Sequence, residues 1–375
     1  MTGVYLVAAA ALMWWGILLL PWRPWSTAPS LDTGSAPEGA VLSDITVLIP
    51  ARNEAAVIQR TLASLQLQPD CELQIVLVDD QSTDGTAEAA RRVGVGHLSV
   101  LTGKPLPAGW SGKLWALEQG RQQISTALTL LLDADIELQP GIIHTLRDKL
   151  RKDKLQLISL MATPQLSSFW EKLLLPAFVY FFKLLYPFRL ANSPHSKMAA
   201  AAGGCILLET RVLEEIGGFA AMRDALIDDC QLACQVKARG YRIWLGLSHS
   251  VRSLRSYRHV GEWGNMVART AFTQLRYSTG LLLTCTAVMA LGFWVPVAGL
   301  LQAGTLSKML AVTALTAMLL SYLPTLRFYG RSCTWALLMP LIGTLYLAMT
   351  WSSAIRYWGG ERARWKGRSY SNIAV

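Results

Sequence analysis

Apolar positions along this chain follow two rhythms. From residue 45 onward, short apolar runs of strand length alternate with stretches of helical period. Ile45–Ile49, Gln74–Val78, His97–Leu101 and Leu128–Leu132 read as strands, and about Glu54–Leu65, Thr86–Val93 and Leu114–Gln123 as helices. Such alternation predicts βαβ units and a mostly parallel sheet flanked by helices, an α/β fold of Rossmann type. The second rhythm is long and unbroken: Val4–Leu20, Phe169–Leu190, and three segments at about 281–302, 309–326 and 334–355. Lys308, Arg327 and Arg331 are the only charges from Leu281 up to, but not including, Arg356. Runs of this length match the bilayer hydrocarbon core, about 30 Å thick.

The expected layout is therefore an N-terminal transmembrane anchor (1–22), a linker (23–44) containing the Pro-, Ser-, Gly- and Thr-rich run Ser26–Glu38, an α/β domain (45–280), C-terminal membrane segments (281–356) and a basic tail (357–375). Val4–Leu20 lacks the basic start and small-residue cleavage site of a secretory signal, so it is expected to stay attached. Trp14, Trp15, Trp22 and Trp25 would suit a membrane–water interface. Phe169–Leu190 is interrupted by Pro176 and Pro187 and carries Lys172 and Lys183. A single crossing there would separate acidic segments that belong together. It reads as an in-plane interfacial helix or helix pair with snorkelling lysines, the alternative being a buried core helix. Three crossings after 281, starting from a cytoplasmic domain, would leave Arg356, Arg362, Arg364, Lys366 and Arg368 outside, against the positive-inside rule. One segment is thus expected to be re-entrant or interfacial.

Composition agrees with a membrane protein: 52% of residues are hydrophobic and the mean hydropathy is +0.31. The net charge of +10 does not point to nucleic acid. Many cations fall at Arg252–Arg276 and Arg356–Arg368, beside membrane segments, where anionic lipid attracts them, and no zinc-finger or RNA-recognition pattern accompanies them. The six cysteines show no framework spacing and read as buried free thiols in a reducing compartment.

Candidate chemistry lies in carboxylates. Asp79-Asp80 and Asp133-Ala134-Asp135 each follow an apolar strand, and Asp228-Asp229 opens a helical stretch, Cys230–Arg239. A parallel sheet binds ligands at the carboxyl ends of its strands. Acidic pairs gathered there repel unless a cation lies among them. Asp-x-Asp places two carboxylates on one side of an extended segment, where they suit Mg²⁺ or Mn²⁺ with a phosphate completing the coordination. A metal–nucleotide site is the economical reading. Asp80, Ser82, Asp84 and Gly85 match the first half of a calcium-binding EF-hand loop, but Arg91 stands where a bidentate Glu is needed, which excludes it. The loop instead reads as carboxylates facing a base and ribose.

Pro50-Ala51-Arg52-Asn53-Glu54 leaves the first strand and opens a helix, so its amides and Arg52 are expected to face a nucleotide, with Asn53 as an alternative helix cap. Lys113, in Trp110-Ser111-Gly112-Lys113, is either a diphosphate contact or a solvated lysine. Gly203-Gly204 lets backbone approach a ligand, or packs tightly. Asp228-Asp229 provides either helix-dipole compensation or a general base.

Taken in order, these segments resemble the inverting family 2 glycosyltransferases of GT-A fold, over about residues 45 to 277. The resemblance implies that Asp79 and Asp80 contact the donor's base and ribose. It also implies that Asp133 and Asp135 bind its phosphates, Asp135 through the metal, and that Asp229 deprotonates the acceptor hydroxyl. Asp228 stands where the family has Glu. Processive members carry Gln-x-x-Arg-Trp, whereas this chain has Gln274-Leu275-Arg276-Tyr277, one residue short and with Tyr for Trp. The membrane segments, the interfacial stretch Phe169–Leu190 and the Pro50–Glu54 opening look most like the hopanoid-biosynthesis-associated branch; carotenoid and ceramide glycosyltransferases have a similar layout. The implied partners are a nucleotide-diphosphate-sugar, a UDP-sugar foremost, a lipid acceptor and an inner or plasma membrane with the catalytic domain on its cytoplasmic face. A processive polysaccharide synthase and a non-catalytic nucleotide-sugar- or lipid-binding scaffold are the alternatives.

Overall fold

The computed structural model describes residues 2–34, 41–69, 72–366 and 368–371. They form two units, one of residues 28–165 and 190–255, the other of residues 1–27, 166–189 and 256–375.

The first unit holds the strands Ile45–Ala51 (β1), Gln74–Asp79 (β2), Leu98–Thr102 (β3), Leu128–Leu132 (β4), Ile136–Leu138 (β5), Leu157–Thr163 (β6), Cys205–Glu209 (β7) and Ile243–Ser253 (β8). They make one sheet in the order β3-β2-β1-β4-β7-β6-β8-β5. Every residue of β1 is buried. Val47 and Ile49 enter one apolar layer with Ile58, Leu62 and Ile142, while Leu48 enters the other with Leu114, Leu117 and Val212. This two-sided burial explains the unbroken apolar runs, each fully buried Val, Leu or Ile contributing about 1.5–3 kcal/mol. Gly120, on the helix Gly112–Arg121, lets that helix lie close on the sheet, since a Cβ there would fall 2.8 Å from Val78 Cγ2.

The expected mostly parallel sheet is mixed. β7 runs antiparallel to both β4 and β6, and β5 antiparallel to β8. The alternation of strand and helix ends at β4, because β5 follows three residues later with no helix between, and the chain crosses directly to the sheet edge, where β5 pairs with β8. Helix starts also shift. The first helix of this unit begins at Ile58, not near Glu54, because residues 52–57 form a loop.

The second unit is helical. Thr279–Gly299, Thr305–Phe328 and Cys333–Trp358, of 21, 24 and 26 residues, are long and apolar enough to cross a membrane. The first contains a π-helical turn at Ala290–Trp294 just before Pro296, which lacks an N–H for the helical ladder. The N-terminal helix Thr2–Leu19 is shorter. Its 18 residues span about 27 Å, under the bilayer core. One face is covered by protein: Val7, Ala10, Ala11 and Trp14 are buried, and Trp14 Nε1 donates to Gly292 O at 2.8 Å. Trp14 is thus a packing residue and not the interfacial tryptophan expected of it.

Phe169–Leu190 resolves into helices Phe169–Leu185 and Phe188–Asn192, broken before Pro187 but not at Pro176. The start of the first is fixed by a capping box in which Ser168 Oγ accepts from Glu171 N, while Glu171 accepts from Ser168 N. Lys183 does not snorkel. It is buried, donating to Thr325 Oγ1 at 2.9 Å and Ser26 O at 3.2 Å. Glu361–Trp365 and Arg368–Ser371 pair as an antiparallel hairpin. The linker residues 35–40 and the tail residues 372–375 lie outside the described residues, as does Cys71. Of the other cysteines Cys205 and Cys230 are buried as expected, but Cys234 and Cys333 are exposed.

Candidate active site

The sheet's register assembles the acidic segments. β4 ends at Leu132 opposite Cys205, the first residue of the reversed strand β7. Asp133 therefore leaves the sheet beside Gly203-Gly204, and its N–H donates to Gly204 O at 3.1 Å. The helix Asp228–Ala238 presents its first two residues to the same place. Lys113, in the first turn of Gly112–Arg121, completes the group, its Nζ 2.8 Å from Asp133 Oδ1 and 3.1 Å from Asp228 Oδ2. It is therefore not the solvated lysine that its sequence context allows.

Gly203 has a steric reason to be glycine. A Cβ there would sit 3.2 Å from Asp229 Oδ2 and 3.3 Å from Lys113 Nζ. Gly204 packs against Ile136, whose Cδ1 would lie 3.0 Å from an added Cβ.

The electrostatics follow from crowding. Burial lowers the Lys113 pKa, but the carboxylates of Asp133 and Asp228 outweigh it and hold the ammonium above its ordinary value. Burial, then Asp135 and Asp228, push Asp133 above the usual carboxylate range against the pull of Lys113. Burial and the Asp228 charge push Asp229 up to about 6, opposed by Lys113 and by the Cys230 and Gly203 backbone N–H groups. Asp229 Oδ1 accepts from Cys230 N at 2.8 Å, which fixes the carboxylate at the helix start. A carboxylate with a raised pKa in a cleft beside a cation is suited to proton abstraction near neutral pH.

A second group forms two residues further along, at Asp135. Leu254 N donates to Asp135 O at 2.7 Å, and Ile136 pairs with Ser253, so the end of β8 runs beside Asp135. This places Arg255 Nε 2.6 Å from Asp135 Oδ2 and its Nη2 2.7 Å from Glu54 Oε1. Arg255 went unrecognised in the sequence, where it sits in the basic stretch assigned to lipid attraction. Only the pairing of β5 with β8 reveals its partner.

The loop after β1 serves itself. Asn53 N, Glu54 N and Ala55 N donate to Ser82 Oγ, Thr86 Oγ1 and Asp84 Oδ2 at 2.9, 2.8 and 3.0 Å. These amides, expected to face a nucleotide, instead knit the two strand-end loops together. Asn53 is in left-handed conformation with Oδ1 accepting from Thr83 N, so it is not a helix cap. Arg52 Nη1 donates to Asp80 O and Gln81 O, bracing the Asp79-Asp80 loop. Pro50 and Ala51 complete β1 opposite Val78 and Asp79. Asp79 and Asp80 are buried, and Asp79 Oδ1 accepts from Ser82 N at 3.2 Å.

Gln274, Arg276 and Tyr277 belong to the helical unit. Tyr186 Oη donates to Gln274 Oε1 at 2.7 Å, and Tyr277 stacks on Tyr357 with ring centroids 4.4 Å apart. Arg276 and Tyr277 both adopt left-handed backbone.

Among the described residues no three His, Cys, Asp or Glu side chains form a complete metal cage. The donor set nevertheless fits Mg²⁺ or Mn²⁺. Asp133 and Asp135 flank Ala134 and offer hard oxygens, in a cluster whose carboxylates outnumber its two cations, Lys113 and Arg255. Ions of this class take one or two carboxylates and fill the rest of their shell from substrate phosphates and water.

Comparison with known proteins finds the following similarities. The family described as Glycosyl transferase family 2 matches residues 46–217. The 4,4'-diaponeurosporenoate glycosyltransferase of Staphylococcus haemolyticus is 36% identical over 101 residues, 27% of this chain and 26% of that protein. Its counterpart in Staphylococcus aureus is 33% identical over 103 residues, 27% of each. The chain thus spans about a quarter of the length of these relatives. Among solved structures, the mannosyltransferase PcManGT from Pyrobaculum calidifontis, in complex with GDP-Man and Mn²⁺, superposes with a TM-score of 0.54 at 18% identity. It covers 94% of this chain and 98% of that one, which establishes the shared fold.

Proposed function

We propose that this chain, whose residues 46–217 match glycosyl transferase family 2, is a membrane-anchored enzyme of that family that moves one sugar from a nucleotide diphosphate donor to a lipid hydroxyl, with inversion. One observation carries the reading. Asp229, pushed up to about 6, opens a helix beside the Lys113–Asp133 pair at the carboxyl end of β4.

In this reading Asp229 takes the proton from the acceptor hydroxyl. The acceptor oxygen attacks the anomeric carbon from the face opposite the phosphate, and the bond from that carbon to the phosphate oxygen breaks. The nucleoside diphosphate leaves with the bonding electrons. Lys113 and Arg255 supply positive charge near the departing diphosphate, where fixed charge stabilises the transition state. Asp133 and Asp135 would hold a divalent metal, which supplies Lewis-acid neutralisation of the diphosphate when bound. Asp79 and Asp80 are assigned to the base and ribose, with UDP as the expected nucleotide. Gly203 and Gly204, with Gln274, Arg276 and Tyr277, are assigned to acceptor contact and closure.

The lipid acceptor draws support from the carotenoid glycosyltransferases to which part of the chain is similar and from three helices long enough to cross a membrane. A hopanoid acceptor is a narrower form of the proposal, resting on the membrane segments, the stretch Phe169–Leu190 and the Pro50–Glu54 opening. A membrane-crossing N-terminal helix, an interfacial role for Phe169–Leu185 and a cytoplasmic catalytic face belong to the same proposal.

The test is transfer from a panel of labelled nucleotide-sugars, with Mg²⁺ or Mn²⁺, in membranes containing the protein. Label extracted as a single glycolipid supports the reading. Label in polymer would make the protein a synthase, and nucleotide binding without any transfer or hydrolysis would make it a scaffold.

A further inference from the structure

Arg255 occupies an unusual position for a cation beside a metal-binding motif. Its guanidinium is shared by two carboxylates, Asp135 at 2.6 Å and Glu54 at 2.7 Å. The Asp135 and Glu54 side chains are only 13% and 12% exposed, against 34% for Arg255. The ion pairs therefore lie in a partly dehydrated recess with Arg255 on its open side, where screening is weak. The contact is built into the fold. Leu254 N bonds Asp135 O, β5 pairs with the end of β8, and Arg255 N donates to Ser253 Oγ at 3.3 Å.

We infer that Arg255 is a positioning residue that withholds Asp135 from a divalent ion until the nucleotide diphosphate arrives. The inference rests on reading Asp133-Ala134-Asp135 as the donor site. A metal ion and a guanidinium compete for the same carboxylate oxygens, and arginine cannot yield by losing a proton. Asp135 Oδ2 accepts from Arg255 Nε at 2.6 Å, so a cation approaching that oxygen meets a positive charge where it needs a lone pair. A diphosphate changes the balance. Its oxygens match the planar fork of guanidinium and offer Arg255 an alternative partner, while Glu54 holds the other edge of the group in place. Turning toward the phosphates frees Asp135 for the metal, so ion and nucleotide enter together. Lys113 makes the analogous pair with Asp133, but it also bonds Asp228 and so belongs to the proton-transfer group.

The experiment measures Mn²⁺ binding to the full-length protein in lipid nanodiscs, from the resonance of free Mn²⁺, with Mn²⁺ alone and with UDP or GDP added. The wild type is expected to take Mn²⁺ weakly alone and more tightly with one of the nucleotides. Arg255→Gln should take Mn²⁺ alone at least about tenfold more tightly, the order expected for removing one competing ion pair, and gain less from nucleotide. Arg255→Lys keeps the charge that Asp135 and Glu54 need, so it serves if the glutamine variant fails to fold. Its single ammonium cannot span both carboxylates as the fork does, and an intermediate affinity is expected. Variants that bind Mn²⁺ alone no better than the wild type would overturn the inference. A wild type whose Mn²⁺ affinity ignores both nucleotides would instead undermine the donor-site reading, while the variant comparison would still decide whether Arg255 blocks the metal.

Discussion

Asp133 and Asp228 share one ammonium. Lys113 Nζ lies 2.8 Å from the first and 3.1 Å from the second, so a residue at the end of β4 and one at the start of a distant helix are held as neighbours by a third element. The same cation opposes the rise in the Asp229 pKa. In the proposed reaction, a change at the donor's phosphates would thereby alter the proton affinity of Asp229, the proposed base.

The pH dependence of transfer follows from that link. As the proposed base, Asp229 would act only when ionised, and its pKa is pushed up to about 6, so activity should fall as the pH drops through that value. Lys113→Met removes an opposing cation and should raise the Asp229 pKa further, moving the acid limb of the kcat profile to higher pH. The profiles of the two proteins, measured from pH 5 to pH 8, check this.

Stability should respond with the opposite sign. A carboxyl whose folded pKa lies above its unfolded value of 3.8 favours folding while protonated, and that contribution is lost as the pH rises through about 6. Asp229→Asn removes the buried charge, so its thermal midpoint at pH 7 should match or exceed the wild type's, with the gap closing below pH 5. A lower midpoint at pH 7 would show that the carboxylate is needed by the fold.

Donor binding should separate from proton transfer at Asp135. Asp135→Ala removes a proposed metal ligand and should weaken nucleotide binding in the presence of Mn²⁺ far more than in its absence. Titration of a fluorescent nucleotide with and without the ion measures the difference.

Gly203 offers a steric test. An added methyl would press on Asp229 and Lys113 from 3.2 and 3.3 Å, tighter than ordinary van der Waals contact. Gly203→Ala should lower kcat about tenfold or more, as displacement of a general base does, with little loss of folded protein by circular dichroism.

What could be read in advance divides along sequence distance. β1, β2 and β4 were legible because a strand buried on both faces is a continuous apolar run, and Asp79, Asp133 and Asp228 were legible because carboxylates at strand and helix ends stand out against such runs. The direction of β7 was not, because a reversed buried strand has the same composition as a parallel one. β5 has three residues and no rhythm of its own. Arg255 resembled the basic residues around it, and only the register of β5 on β8 joins it to Asp135. The loop amides of Asn53–Ala55 misled for a related reason. Their acceptors are three side chains some thirty positions on, and nothing near Pro50 announces them. Lys183 misled because it lies on an apolar helix whose partners, Thr325 and Ser26, come from both ends of the chain.

The central claim is that Asp229 is the base for sugar transfer to a lipid, and the most direct measurement compares wild type and Asp229→Asn on the same membranes. Glycolipid formation and nucleotide binding should be followed together. The account predicts a fall in transfer of about 10²- to 10⁴-fold, the usual contribution of a general base, with nucleotide binding nearly unchanged. Transfer at the wild-type rate by the asparagine variant would contradict it.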